Sequence, residues 1–292
     1  MSDDIADDIA DDIADDITDD IADDIDDDID DDVSLKLEST VDNKLASKSK
    51  RKHLEDGFKK GKVINEVLDK PTVMTLYKMI KDHIIAYVNG SISAGKESVV
   101  FWGVDEHDVS VALKIYLVST SNFKKREPYI LGDPRFTRIK KGTKNLVYLW
   151  ARKEFRNLSQ CHNAGIPVPE PLYVTNNVLA MDFVGQNGTP EKSLLYSEVD
   201  EDDYKQAILI IKDLYHKAKL VHCDYSEYNI FKTENGLVVF DLGSAVDLRH
   251  PNALEFLKRD IYNINRFFNK RGIPVEDTKI LFEDIVKWAL KK

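Results

Sequence analysis

The sequence predicts an α+β fold of two lobes with a cleft between them, on three observations. Short β-rich runs crowd residues 99–183, and amphipathic helical patterns fill 203–290. A loop-and-hairpin region at 221–246 gathers polar residues between the first two of those helices. Strands first and helices afterwards separate a sheet-based lobe from a helical one.

Charge divides the chain before any element is drawn. It has 292 residues, 41 Lys+Arg against 52 Asp+Glu, and a formal net charge of -11. Residues 1–33 hold 18 Asp and no Glu, Lys or Arg, so the remaining body has 34 acidic against 41 basic residues, a net +7. The opening DDIA repeat sets apolar residues every fourth position from Ile5 to Val33. A strict period of four drifts about 40° per repeat on a helix, so this stripe cannot form one buried face. Asp is a poor helix former, and like charges at i,i+4 repel. Residues 1–33 are therefore expected to be a disordered acidic tail, either solvated or a sticker for a basic partner. Residues 44–62 reverse the sign and are readable as a nuclear-import address, an RNA-phosphate patch, a linker or a partner for the tail. With 42% hydrophobic and 9% aromatic residues overall, disorder is excluded for the body.

Two cysteines, Cys161 and Cys223, cannot build a disulfide framework, and no Cys/His spacing suits zinc. No run approaches the roughly 18 apolar residues that a membrane span requires. No signal-peptide pattern opens the chain, so an intracellular protein without a membrane partner is expected. Its place of work is expected to be cytoplasmic, with nuclear shuttling as an option.

The elements follow in order. Residues 34–71 form a basic linker and the start of an N-terminal helical module. Residues 72–181 form the first lobe. Val73–Tyr87 has helical spacing and ends near Asn89-Gly90. Strands follow at Val99–Gly103 and Val109–Leu117, separated by a polar turn at 105–108. Residues 119–144 are a polar insertion with net charge +6, expected to be mobile. A helix at Leu146–Ala164 and strands at Pro171–Thr175 and Val178–Phe183 complete the lobe. Residues 182–292 form the hinge and the second lobe, with helices at 203–218, 254–271 and 277–290.

The chemistry concentrates in Val221-His222-Cys223-Asp224-Tyr225-Ser226-Glu227-Tyr228-Asn229, followed by Asp241-Leu242-Gly243. As His-x-Asp-x-x-x-x-Asn and then Asp-x-Gly, these match the catalytic and metal loops of a protein-kinase-like fold. Asp224 would orient an attacking hydroxyl and accept its proton. Asn229 and Asp241 would offer oxygens to a divalent metal on nucleotide phosphates. Gly243 would allow the tight backbone that follows. Such a site needs a strand lysine with a helix glutamate, and Lys114 in Val111-Ala112-Leu113-Lys114 and Glu154 are the candidates. Gly90–Lys96 imitates a Walker loop, but Glu97 stands where a hydroxyl is needed and strands follow, so that reading fails. Ser93, Gly95 and Lys96 remain candidates to cradle phosphates.

SAGKES, ALKIY, GDPRF, KEFRNL, VHCDYSEYN and DLGSAV together resemble the RIO family of atypical protein kinases from about residue 60 onward. GDPRF and the short N-terminal module resemble its type-one branch. The resemblance implies ATP with magnesium, or manganese, as cofactor, Lys114 on the phosphates, and Asp224 as the catalytic residue. It implies Asn229 and Asp241 as metal ligands, with Asp241 also accepting a phosphoryl group, and adenine held by the backbone of Asp182 and Val184. Ala94, Cys223 and Ser244 depart from the family pattern of Thr, Gly and Gln. The implied role is late maturation of the small ribosomal subunit, with its precursor, rRNA and assembly factors as partners. The basic insertion suits rRNA phosphates. Only 51 residues follow Asp241 and no Ala-Pro-Glu appears, so ATP hydrolysis or phosphorylation of few targets is expected over broad protein-kinase action. The alternatives are a small-molecule phosphotransferase of the aminoglycoside or choline kinase kind, and an RNA-binding pseudokinase scaffold.

If the tail screens the basic body, deleting residues 1–33 will tighten RNA binding and steepen its salt dependence, since 18 negative charges vanish. Filter-binding titrations at two salt concentrations check this; unchanged affinity at low salt contradicts it.

Overall fold

The computed structural model describes residues 68–118, 126, 128–136 and 142–289. The acidic repeat, the basic run at 44–62 and residues 119–125, 127 and 137–141 of the insertion lie outside the described residues.

Helix α1 spans Lys70–Lys81; the Asp69 side chain caps it by accepting from the Thr72 amide, and Pro71 sits in its first turn. It buries Val73, Leu76, Met79 and Ile80. The expected continuation to Tyr87 does not occur. His83 has φ 63°, the helix ends, and Tyr87–Ala94 is strand β1, so Asn89-Gly90 is a register irregularity inside a strand. The run Ile84–Val88 satisfies either period, and pairing with β2 decides it.

Strands β2 (Ser98–Val104) and β3 (Ser110–Tyr116) form a hairpin. At its turn the Asp105 carboxylate accepts from the amides of His107 and Val109, both at 2.8 Å. Helix α2 is Thr143–Asn163, followed by β4 (Pro171–Thr175) and β5 (Val178–Asp182). The antiparallel sheet runs β1-β2-β3-β5-β4. This makes β3 central and buries every residue from Val111 to Tyr116, so Lys114 cannot be a solvated edge residue. Trp150 and Val147 of α2 close one face with Tyr116 and Ile130.

The second lobe opens with a two-strand ribbon, β6 (Gly185–Gln186) and β7 (Thr189–Pro190). Helix α3, Glu201–His216, starts on an Asp200/Asp203 capping box. Short strands follow: β8 (Leu220–Val221), β9 (Ile230–Thr233), β10 (Gly236–Val239) and β11 (Val246–Asp247). Helices α4 (Ala253–Lys270) and α5 (Thr278–Ala289) complete the lobe. Its core includes Ile211, Leu214, Leu257, Ile261, Ile264, Phe268, Leu281 and Ile285, each contributing about 1.5–3 kcal/mol by burial. Two-residue strands carry no sequence period and went unpredicted. One pairing matters: β11 on β8 closes the base of the loop that carries both Asp224 and Asp241. No helix among the described residues is long and apolar enough to cross a membrane.

Candidate active site

Lys114 is the centre of the site. Its ammonium lies 2.7 and 2.8 Å from the two Glu154 oxygens and 2.9 Å from Asp241 Oδ1. β3 supplies the lysine, α2 the glutamate, and the turn after β10 the aspartate. Tyr116, two residues along β3, donates its hydroxyl to Glu154 as well. Burial works against the Lys114 charge, but Asp241 and Glu154 more than offset it and hold its pKa above the usual value. Burial pushes Glu154 up to about 7 against the pull of Lys114. Burial also opposes the Asp241 charge, yet Lys114 wins and keeps that carboxylate below its usual range.

Asp241 sits at φ 59°, ψ 58°, the left-handed region that non-glycine residues rarely occupy. Strain of this kind clusters where geometry serves function. Gly243, two residues on, has a different reason from the one expected. It has no positive φ; a Cβ there would meet the Trp150 indole nitrogen at 2.7 Å.

Asp224 keeps an open edge to solvent at the mouth of this cluster. Loss of hydration along the cleft walls and the negative Asp241 hold its carboxyl above the usual range. The Asn229 amide donates to the Asp224 carbonyl at 2.9 Å and to its carboxylate at 3.1 Å. The Phe240 amide donates to the Asn229 carbonyl at 3.0 Å, which sets Asn229 beside the strand that delivers Asp241. His222 is buried, and burial lowers its pKa to about 4, so its neutral ring donates from Nε2 to the Phe240 carbonyl.

Among the described residues no trio of His, Cys, Asp or Glu forms a metal cluster. Asn229 and Asp241 offer hard oxygens only. Two such donors fit magnesium, which takes one or two protein oxygens and fills its shell with phosphate and water.

The remaining predicted residues lie apart from this cluster. Ser93, Gly95 and Lys96 are exposed at the β1–β2 turn. No hydrogen bond or ion pair among the described residues joins them to Lys114, and the Gly95 amide is already given to the Ser98 carbonyl. The turn therefore offers a hydroxyl and an ammonium at its surface. At the hinge, the Asp182 amide donates to the Glu170 carbonyl and the Val184 carbonyl accepts from Glu191. The halves left to meet a base are the Asp182 carbonyl and the Val184 N–H.

Sequence reasoning missed the residues that hold the catalytic loop from below. Asp260 of α4 accepts from the amides of Cys223 at 2.8 Å and Tyr225 at 3.1 Å, on either side of Asp224. Burial raises its carboxyl to about 7, against those two amides. Arg259 donates to the Cys223 carbonyl. Cys223 itself is at φ 66°, a left-handed backbone that favours glycine. Lys153 was missed too; fully buried, it donates to the Gly243 and Ala245 carbonyls. The available signal was polarity in apolar stripes: Asp260 between Leu257 and Ile264, Lys153 between Trp150 and Leu158.

Residues 99–281 match the RIO domain. Serine/threonine-protein kinase RIO1 of Caenorhabditis elegans is 36% identical over 243 residues, covering 81% of this chain and 48% of that protein. RIO1 of Homo sapiens is 36% identical over 259 residues, covering 85% and 46%. RIO-type serine/threonine-protein kinase Rio1 of Haloferax volcanii is 40% identical over 218 residues, with 74% of each chain covered. The chain spans about half the length of the two animal relatives. The Rio2 kinase of Chaetomium thermophilum, solved as an ADP/Mg2+-phosphoaspartate complex, superimposes with a TM-score of 0.55. It is 23% identical and covers 73% of this chain and 65% of that one, a likeness that shows the fold.

Burial lowers Lys153 to about 7, from an ordinary value of 10.5. Between those values the unfolded chain holds a proton that the folded chain gives up, so stability rises with pH there by about 1.4 kcal/mol per unit. Compared with Lys153→Met, the wild type will gain stability from pH 7 to about 10.5. Urea unfolding of both across that window checks this; parallel curves contradict it.

Proposed function

The chain belongs to the RIO family, and we propose that it is an ATP- and magnesium-dependent atypical serine/threonine kinase and ATPase. The observation that carries this reading is the convergence of Lys114, Glu154 and Asp241 through contacts of 2.7–2.9 Å, with Asp224 and Asn229 at the same mouth. Lys114 and Glu154 are buried while Asp224, Asn229 and Asp241 keep access to solvent, so the charges meet where a phosphate could reach them.

Lys114 orients the nucleotide phosphates, and Glu154 holds Lys114 in place. Asn229 and Asp241 would hold a magnesium ion, which would supply positive charge to those phosphates. In transfer to a hydroxyl, the attacking oxygen bonds to the γ-phosphorus as the bond to the β-bridging oxygen breaks. Asp224 takes the hydroxyl proton, and ADP leaves with the electron pair. The Asp224 carboxyl, held above its usual range, suits a proton acceptor better than an ordinary carboxylate. In the hydrolytic route an Asp241 oxygen attacks the γ-phosphorus as the bond to the β-bridging oxygen breaks and ADP leaves. The resulting acyl phosphate is cleaved by water to orthophosphate and regenerates the carboxylate. The phosphoaspartate in the Rio2 complex of Chaetomium thermophilum supports this route, and Asp241 is the partly exposed carboxylate nearest Lys114.

The proposed setting is the cytoplasm and the small ribosomal subunit precursor, with its rRNA and assembly factors. The family resemblance and the net +7 of the body support it. Within the insertion Arg135 is sealed against Asp133, and Arg126 pairs with Glu97 and stacks on Trp150, so neither is counted toward that support.

Asp224→Asn keeps shape and removes charge, so nucleotide will still bind while turnover falls by about two to four orders of magnitude. Asp241→Asn will weaken magnesium-dependent nucleotide binding and abolish hydroxylamine-labile phosphate on the protein. Steady-state turnover, nucleotide titration and hydroxylamine release after labelling with γ-phosphate-labelled ATP check these. Wild-type turnover in Asp224→Asn would overturn the mechanism, and undiminished labile phosphate in Asp241→Asn would overturn the acyl phosphate.

A further inference from the structure

The insertion between β3 and α2 contains a buried polar cluster that phosphoryl transfer does not use. Arg135 forks onto Asp133, with Nε 3.0 Å from Oδ1 and Nη2 2.7 Å from Oδ2. The two side chains are only 5% and 0% exposed. The third nitrogen of Arg135 turns to α2, donating to Asn157 Oδ1 at 2.8 Å and to Gln160 Oε1 at 3.2 Å. Asn157 passes the connection on, giving its amide hydrogens to the carbonyls of Leu242 at 2.8 Å and Ala245 at 3.0 Å. The Asp247 amide approaches Asp133 Oδ2 at 3.4 Å.

A second tie lies beside the first. His250 Nδ1 accepts from the Asn252 amide at 3.1 Å, so Nε2 carries the hydrogen. It points at the carbonyls of Pro128 and Leu131, each at 3.0 Å. Arg126 stacks over Trp150 of α2 with its guanidinium 4.8 Å from the ring. The described part of the insertion is thus clamped between α2 and the stretch after Asp241.

Asn157 stands one helical turn beyond Glu154, on the same face of α2. A fully buried glutamate is costly, and a helix free to roll would return its carboxylate to water. Something must hold α2 in the position where Glu154 meets Lys114. Conventional kinases control the position of this helix through a phosphorylated activation segment. Here α4 begins at Ala253, only a short way past Asp241. We propose that residues 128–136 are a built-in latch that ties α2 to the stretch after Asp241, with Arg135 as the positioning residue that keeps Glu154 on Lys114. The latch rests on the proposed phosphoryl-transfer reading for its effect on turnover, though not for its effect on the helix.

Hydrogen exchange on the full chain, comparing wild type with Arg135→Gln and the milder Arg135→Lys, reads the helix directly. Exchange in residues 143–163 should quicken by about ten-fold or more while residues 253–270 keep their protection. Turnover of ATP should fall about ten-fold or more, with nucleotide affinity changed by less than about three-fold, and added guanidinium should restore part of the loss in Arg135→Ala. Equal loosening of both helices would make Arg135 a general stabiliser and overturn the latch, as would unchanged exchange in 143–163. If α2 loosens selectively in a protein whose wild type turns over no ATP, the proposed function fails and the latch stands.

Discussion

One buried ammonium sets the terms for the rest of this molecule. Lys114 sits on the central strand with almost no exposure and two carboxylates in contact. Removing such groups from water costs several kcal/mol per ion, which only close geometry and full hydrogen bonding repay. Each partner therefore has to be delivered rigidly, from the sheet, from α2 and from the turn after β10. The sheet order that centres β3, the length of α2 and the pairing of β11 on β8 all serve that delivery.

Delivery is expensive locally. Asp241 and Cys223 both occupy the left-handed region, at φ 59° and 66°, and each such position costs about 1–3 kcal/mol. The surroundings hold them there. Asp260 takes two amides across the Asp224 turn, and Lys153 and Asn157 fasten the carbonyls after Asp241. These supports carry perturbed charges of their own, because a buried lysine or aspartate can grip the backbone only by leaving water. The left-handed positions beside Asp224 and at Asp241 are thus paired with buried ionisable groups, and both follow from the need to aim carboxylates into a cleft.

How much of this was legible depended on range. The spacing from Asp224 to Asn229 and the short hairpin before Asp241 are local, so the motif could be read with its roles. Glu154 could be reached by asking what Lys114 would need. Asp260, Lys153 and Arg135 were not reachable by spacing, since the partners of the first two lie 35 to 92 residues away and Arg135 reaches to α2. A polar residue inside a helical apolar stripe was the overlooked hint. Counting charge in the insertion could not show that Arg135 is sealed against Asp133, a pair that leaves the formal +6 unchanged. The first helix was overextended because Ile84–Val88 fits a helix and a strand alike, and β-pairing, a tertiary effect, decided between them.

The dependence on Lys114 can be tested by removing it alone and then together with its partner. Lys114→Met leaves Glu154 buried without a cation, and should lower unfolding stability by about 3–5 kcal/mol. Lys114→Met with Glu154→Leu replaces the pair by apolar groups, and should recover most of that stability while ATP turnover stays abolished. Chemical denaturation of the two variants and the wild type is the measurement. Recovered stability with no turnover is the predicted result. A double variant as unstable as the single one, or one that still turns over ATP, would contradict the account.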